Sequence, residues 1–521
     1  MSCTQLKTIN MKSKNSKNVL DKLFSSNLFK DLDTDDLVKQ FSISSALRKN
    51  NQAQKSKELY ALQTEPNISS IPPEGIIIKE AGEYQLMNDI TWTPTSPGTA
   101  IWVLGNDVVL NLNGFTLTVN APMTNNGLQF NGITLGISDI HTTSGISDLE
   151  FTFNALTLQN GTINGATYYG VNALQTTNLE INNVTVGNMN YTETAKPDLT
   201  ACGIFIDSSE AFNVQNCVVQ NMTVTAPSCA GIQIISSLNG TVTDCTMKEF
   251  INNDGGVQGF SYLESCNIMT ESCFSNNFRS HYQGLTQTTG HTVIGYVPIM
   301  CTDLEYNNCS SDGMTGCCDD CHGFSVFLNS YVTVNNFKAT NVIDGDCSAN
   351  TGAKATGLEI YGDYITIQNC ISENITAIVP QDLQSAGFSA WGNNITFNNC
   401  AAHNVHVLNA QRQPSTLHGY GTGYGWAPDP RSEFSKQAAN VVQYNNCTAY
   451  NCQLGFDTWY HTNSQWNNVM TYECSIFILV EPYGTPRTLS MDKCSESPNS
   501  LPKNVTIENI ATNNIYPELH H

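Results

Sequence analysis

Residues 203–216 read GIFIDSSEAFNVQN: a glycine opens a short β-rich run, a turn follows, and a second alternating run closes on an asparagine. The pattern recurs along the chain. Gly170/Asn183, Gly203/Asn216, Gly231/Asp244, Gly323/Asn336 and Gly455/Asn468 are thirteen residues apart, and Gly357/Asn369 and Gly387/Asn399 are twelve apart. Successive pairs mostly sit roughly thirty residues apart, a period in the range of stacked repeats.

Each unit supplies the same parts. A short strand follows the glycine (GIFI at 203, GIQI at 231, GFSV at 323, GLEI at 357, GFSA at 387), a second ends at the asparagine (FNVQN, VTVNN, ITIQN, ITFNN), and a third follows it. Three short strands bounded by Gly, Asn and Ser cannot bury their own apolar face, and stacking is the remedy. Asparagine tolerates the left-handed turn conformation, and its amide can bond to the same residue one coil away. A propeller or sandwich would instead need Asn-Gly hairpin signals at shorter spacing. The expected fold is therefore all-β: a right-handed parallel β-helix, a solenoid with three strands per coil. Alternation then points Ile204, Ile234, Phe324, Leu358 and Phe388 inward.

Composition sets the boundaries. The chain has 521 residues, with 23 Lys+Arg against 45 Asp+Glu and a net charge of −22. Residues 1–60 carry eleven basic and six acidic side chains (+5), leaving twelve against thirty-nine (−27) for the remainder. Such a body repels nucleic acid and anionic lipid. Leu20, Leu23, Phe24 and Leu28 fall at helical spacing, and DTDDLVKQF offers an acidic first turn for a second helix. Residues 1–70 are thus expected to form a short helical appendage for docking or oligomerisation, or a partly disordered tail; 71–515 form the β-helix and 516–521 a tail. No run of about eighteen apolar residues predicts a membrane span. The opening MSCTQLKTINMKSKNSKNVL lacks an apolar h-region, so secretion by a signal peptide is not expected.

Nineteen cysteines in such a chain are expected to be mostly reduced. Cys217, Cys245, Cys370, Cys400 and Cys447 directly follow the turn position, which predicts a stacked internal thiol row. In CCDDCH (317–322), adjacent cysteines lack the ligand spacing of a zinc site, so a disulfide or plain loop is expected there. Neither a metal nor a cofactor is expected.

At this point GEYQLMNDITW and NDVVLNLNGFTLTV (106–119) resemble the first coils of right-handed parallel β-helix proteins of the pectin lyase-like superfamily, and the later G-(I/F)-x-(I/V)…V-x-N-C units resemble the parallel β-helix repeat. The likeness spans roughly 75–515. It implies the fold, and a choice among lyases, hydrolases, epimerases, tailspikes and inert scaffolds. DDCHGFSV (319–326) is similar to the Asp-Asp-Cys and His-Gly-x-Ser elements of polygalacturonases run together, whereas that family separates them by about one coil; its Asn-Thr-Asp element and Arg-x-Lys clamp have no match here. The asparagine-rich style, cysteine usage and start also look similar to uncharacterised β-helix proteins of giant DNA viruses, which implies a virion or host-cytoplasm location. Tailspikes supply the analogy for a homotrimer or larger assembly through the N-terminal segment.

The strand after each repeat glycine also predicts an outward set: Ser325, Phe327, Glu359, Tyr361, Ser389, Trp391, Asp457, Trp459 and His461. Stacking puts these in files roughly 4.8 Å apart, an arrangement suited to a polysaccharide because sugar rings stack on aromatics while acids and amides take hydroxyls. Irregular segments at 415–431, with His418, Tyr420, Tyr424, Trp426, Asp429 and Arg431, and at 276–300, with Arg279 and His281, are expected as loops feeding that groove. Asp319 or Asp320 lies one coil from Glu359, a separation compatible with the roughly 6.5–9.5 Å of an inverting hydrolase, with His322 as acid/base and Arg431 as charge clamp. Two functions follow. One is a noncatalytic carbohydrate-binding or structural rod, such as a surface or virion component; the alternative is a polysaccharide lyase or hydrolase using Asp319, Asp320, His322 and Glu359.

Overall fold

The computed structural model describes residues 66–120, 125–130, 153–192, 200–253, 255–281, 292–316, 320–345, 354–378, 385–408, 421–425, 439–457, 461–474, 476–479, 506–508 and 511–513. The described elements are all β-strands, paired in parallel. The chain divides into two compact units, Met1–Cys273 with Gln283–Gly290, and Phe274–Tyr282 with His291–His521.

In the first unit one coil comprises Thr200–Asp207, Glu210–Gln215 and Val218–Thr225, and the next Ser228–Ile235, Leu238–Thr243 and Thr246–Asn252. Each strand pairs with its counterpart one coil on: Ile204 with Ile232, Val214 with Val242, Val219 with Met247. This is the parallel β-helix. In the second unit Asp320–Asn335, Lys354–Gln368 and Ser385–Asn398 stack in the same way, with Phe324, Leu358 and Phe388 in one file. Ile204, Ile234, Phe324, Leu358 and Phe388 are all wholly buried.

The repeat glycines are required by space rather than by turn geometry. A Cβ at Gly203 would lie 2.4 Å from a Val219 methyl and 2.8 Å from the Gly231 carbonyl oxygen. The strand therefore passes too close to its neighbours for any side chain. The turn residues obey a different demand: Asn183, Asn216, Asp244, Asn336, Asn369, Asn399 and Asn468 all have φ between +52° and +56°. Asparagine and aspartate bear that conformation at least cost after glycine. Their amides also bond along the stack, Asn369 donating to Asn335 at 3.2 Å, Asn399 to Asn369 at 3.3 Å and Asn446 to Asn399 at 3.1 Å.

Cys217, Cys245 and Cys273 line the interior of the first unit, and Cys370, Cys400 and Cys447 that of the second. Each thiol donates to the carbonyl two residues back, as Cys217 does to Gln215 at 3.2 Å, so the row is satisfied structurally. Cys266 is an exception to the reduced state, being disulfide-bonded.

Several expectations change. The helical segment at 1–70 and the tail at 516–521 lie outside the described residues, except that Asn67–Ile68 is already a strand paired with Gln85–Leu86. Segment 276–300 is not one long loop: Phe274–Ser280 and Val293–Ile299 are coil strands, because their alternating apolar residues reach the core. In 415–431, Gly421–Gly425 pairs with Ser385–Ser389, and Tyr424 is buried between Phe388 and Phe456, stacked on each at 4.9 Å. Gly423 is a further repeat glycine, since a Cβ there would meet Ala449 at 2.8 Å.

Candidate functional site

The site builds from two neighbouring strands of the second unit. Asp320–Asn335 carries Asp320, His322, Ser325 and Phe327; Lys354–Gln368 carries Lys354, Glu359 and Tyr361. Register sets Ser325 opposite Glu359, Asp320 opposite Lys354 and His322 opposite Thr356. The start of the second strand is pinned by Asp344, wholly buried, whose carboxylate accepts from the Lys354 backbone N–H at 2.8 Å.

Glu359 is the hub. One carboxylate oxygen takes the Lys354 ammonium, and the other accepts from the Ser325 hydroxyl at 3.0 Å and lies 3.3 Å from His322 Nε2. His322, Lys354 and Glu359 are 2%, 4% and 5% exposed. Burial alone would raise the Glu359 carboxyl, but the charges of His322 and Lys354 and the bonds from Lys354 and Ser325 hold it at about 2. Burial pushes His322 below its ordinary range; Glu359 pulls it up, Lys354 pushes it further down, and Asp320 pulls it up. The stable state near neutrality is thus a neutral imidazole beside an ionised Lys–Glu pair. Its Nε2 faces Glu359, and Nδ1 has no hydrogen-bond partner, nor has the buried Thr356 hydroxyl on the next coil.

Beside this network the aromatic file closes on itself. Tyr361 packs edge-to-face between Phe327 at 5.2 Å and Trp391 at 5.3 Å, Leu328 packs against the group, and the Lys354 ammonium lies 5.1 Å from the Trp391 ring centre. The cation–π contact and the ion pair share one ammonium, so lysine joins the polar and aromatic halves.

The expected solvent-facing groove is therefore corrected. Ser325, Glu359, Tyr361, Ser389, Trp391 and Asp457 are all buried, with Phe327 half-buried. The physical reason is saturation: the aromatic edges and faces are used by one another, and the Glu359 oxygens by Lys354, Ser325 and His322. Asp320, half-buried, belongs to the same cluster through its field on His322. Asp457 sits on another strand, Leu454–Asp457, and is not among the partners of Glu359. Asp319, His418, Trp426, Arg431 and Trp459 lie outside the described residues, and the side chain of His461 does too.

Lys354 was not among the expected site residues, yet it decides the electrostatics. A signal for it existed, because Asp320 and Lys354 each stand three residues before a repeat glycine, Gly323 and Gly357. Among the described residues, no group of three or more His, Cys, Asp or Glu side chains is arranged to hold a metal ion.

No protein-family model matches the chain, and no curated protein matches it. Similar solved structures include a double-mutant tailspike protein of E. coli bacteriophage HK620 in complex with a pentasaccharide (11% identity, covering 83% of this chain and 74% of that one, TM-score 0.39). The catalytic unit of a GH87 alpha-1,3-glucanase from Streptomyces thermodiastaticus is similar at 10% identity, covering 85% of this chain and 64% of that one, with a TM-score of 0.33. The mannuronan C-5 epimerase AlgE4 A-module of Azotobacter vinelandii is similar at 11% identity, covering 81% and 88%, with a TM-score of 0.33. This chain spans 64% of the length of the glucanase domains it resembles.

Proposed function

We propose that this chain is a noncatalytic carbohydrate-binding β-helix protein in which the His322–Glu359–Lys354 network is a brace and not a reaction centre. The observation that carries the noncatalytic half is the state of Glu359. A glycosidase acid must hold a proton near neutrality, whereas this carboxyl is kept at about 2. A glycosidase base or nucleophile needs a free oxygen, and both are occupied.

The carbohydrate half is supported by the outer sheet face of the second unit. Thr333, Thr366 and Thr396 form one register file, and Asn335, Gln368 and Asn398 another. Hydroxyls and amides repeated at about 4.8 Å match a polyhydroxylated polymer better than an apolar partner.

The test is a screen of the purified protein against acidic and neutral polysaccharides. Binding is read by affinity electrophoresis, and turnover by new reducing ends and by unsaturated-uronate absorbance. Binding without turnover is the expected result. Turnover that disappears in Asp320→Asn would establish an enzyme and overturn the reading.

A further inference from the structure

One turn position in the second unit carries two stacked, exposed tyrosines in the left-handed region. Asp303, Tyr331, Tyr364, Asn394 and Val441 occupy the same place on five coils, each lying between the register partners Thr302, Ser330, Asp363, Asn393, Asn440 and Leu304, Val332, Ile365, Ile395, Val442. All five have φ between +55° and +57°. Aspartate and asparagine suit that conformation; tyrosine does not, because a bulky side chain crowds the backbone there. The two tyrosines are also 51% and 54% exposed, whereas most of the other large aromatics among the described residues are in the core. Burial therefore does not offset the strain. Their rings are stacked nearly parallel, centroids 5.1 Å apart at 6°, so each fixes the other's orientation.

We propose that Tyr331 and Tyr364 form the contact platform of the carbohydrate site, and that its ligand is a neutral glycan and not a polyuronate; this rests on the carbohydrate-binding reading above. The short side chains of Asp303 and Asn394 on the flanking coils leave the outer ring faces open, in keeping with the exposure. A sugar ring laid on either face meets a carboxylate or an amide for its hydroxyls. The threonine file Thr333, Thr366, Thr396 runs two residues further along the same strands.

Charge decides the class of sugar. Segments 302–307, 329–335, 362–368 and 392–398 contain no lysine or arginine, while they carry Asp303, Glu305 and Asp363. The whole chain adds a net charge of −22. A polymer of uronates would be repelled with nothing to pair its carboxylates.

The test compares the wild-type chain with the double variant Tyr331→Asn/Tyr364→Asn, which installs the residue found at Asn394. Affinity electrophoresis is run in gels containing a neutral glucan, a neutral galactomannan, polygalacturonate or alginate, and unfolding by guanidinium is followed in parallel. Wild type is expected to be retarded by a neutral polysaccharide and by neither polyuronate. The variant should lose at least tenfold in affinity while its unfolding midpoint stays level or rises, because strain has been relieved. Unchanged binding by the variant would overturn the platform and leave the carbohydrate reading standing. Preference for polygalacturonate or alginate would overturn the neutral class. Wild type that binds none of the four would remove the carbohydrate reading itself, and the platform with it.

Discussion

Lys354 and Glu359, five residues apart on one strand, close a buried ion pair across Gly357. Five residues of extended chain span about 16 Å, too far for the two side chains to bridge, and strict alternation would place them on opposite faces. Residues 354–362 are instead buried at every position, so the alternation of faces lapses around the repeat glycine. A Cβ at Gly357 would fall 1.8 Å from the Ser372 hydroxyl, so the chain is closely packed where the pair closes.

Removing one partner of this pair strands a charge in the interior. Lys354→Met and Glu359→Gln are each expected to cost about 3–5 kcal/mol, and Lys354→Met/Glu359→Leu markedly less than their sum. Guanidinium titration of the four proteins gives the coupling. A loss below about 1 kcal/mol for either single change would place the pair in solvent-like surroundings instead.

The pH dependence follows from the two shifts, and both act in one direction. His322 has its folded pKa depressed below 6.5 by burial, so the unfolded chain takes up a proton that the folded one does not as pH falls below 6.5. Stability is lost there. Glu359 has its folded value at about 2 against 4.5, so the stability it contributes is fully present above 4.5 and is lost as pH falls from there toward 2. Thermal or denaturant midpoints measured from pH 8 to pH 3 should therefore fall in two stages. His322→Gln should flatten the upper stage and Glu359→Gln the lower. An upper stage unchanged by His322→Gln would assign it to another group.

Much of this was legible in the sequence because it rests on local rules. Spacing of glycine and asparagine gave the coil, and the left-handed turn explains Asn at Asn183, Asn216 and Asn399 without reference to anything distant. Phe324 and Leu358 could be placed inward from alternation alone. The site was less legible for a physical reason. Alternation tells which face a residue leaves from, but not whether that face stays wet, and Tyr361, Trp391 and Glu359 are buried by contacts made between coils. Lys354 was hidden because residues 354–362 are buried at every position, against the alternation the sequence suggests, and Tyr424 because an insertion after Gly425 separates its glycine from the next turn.

The spatial demand at the glycines can be tested in the first unit. Gly203→Ala places a methyl against both Val219 methyls and the Gly231 carbonyl oxygen, at 2.4, 2.7 and 2.8 Å, and is expected to destabilise by about 1–3 kcal/mol. Val219→Ala relieves the side-chain clash but not the carbonyl one. The double variant should thus recover part of the loss, giving a measurable coupling in denaturant titrations. Full additivity of the two single changes would show that the strand moves aside freely.

Turn conformation and amide bonding are separable at Asn399. Its φ is +54°, its Nδ2 donates to Asn369 at 3.3 Å, and its Oδ1 accepts from Asn446 at 3.1 Å. Asn399→Gly keeps the backbone conformation and loses both amide bonds, whereas Asn399→Ala loses both the bonds and the conformational ease. Ala should therefore be less stable than Gly by about 1 kcal/mol, the strain that a Cβ without a compensating amide feels at positive φ. The drop from Asn to Gly then measures the two exposed amide bonds, net of the added freedom of glycine in the unfolded chain. Equal stability of the Ala and Gly variants in denaturant titration would mean that the turn relaxes out of the left-handed region, and that stacking alone holds the corner.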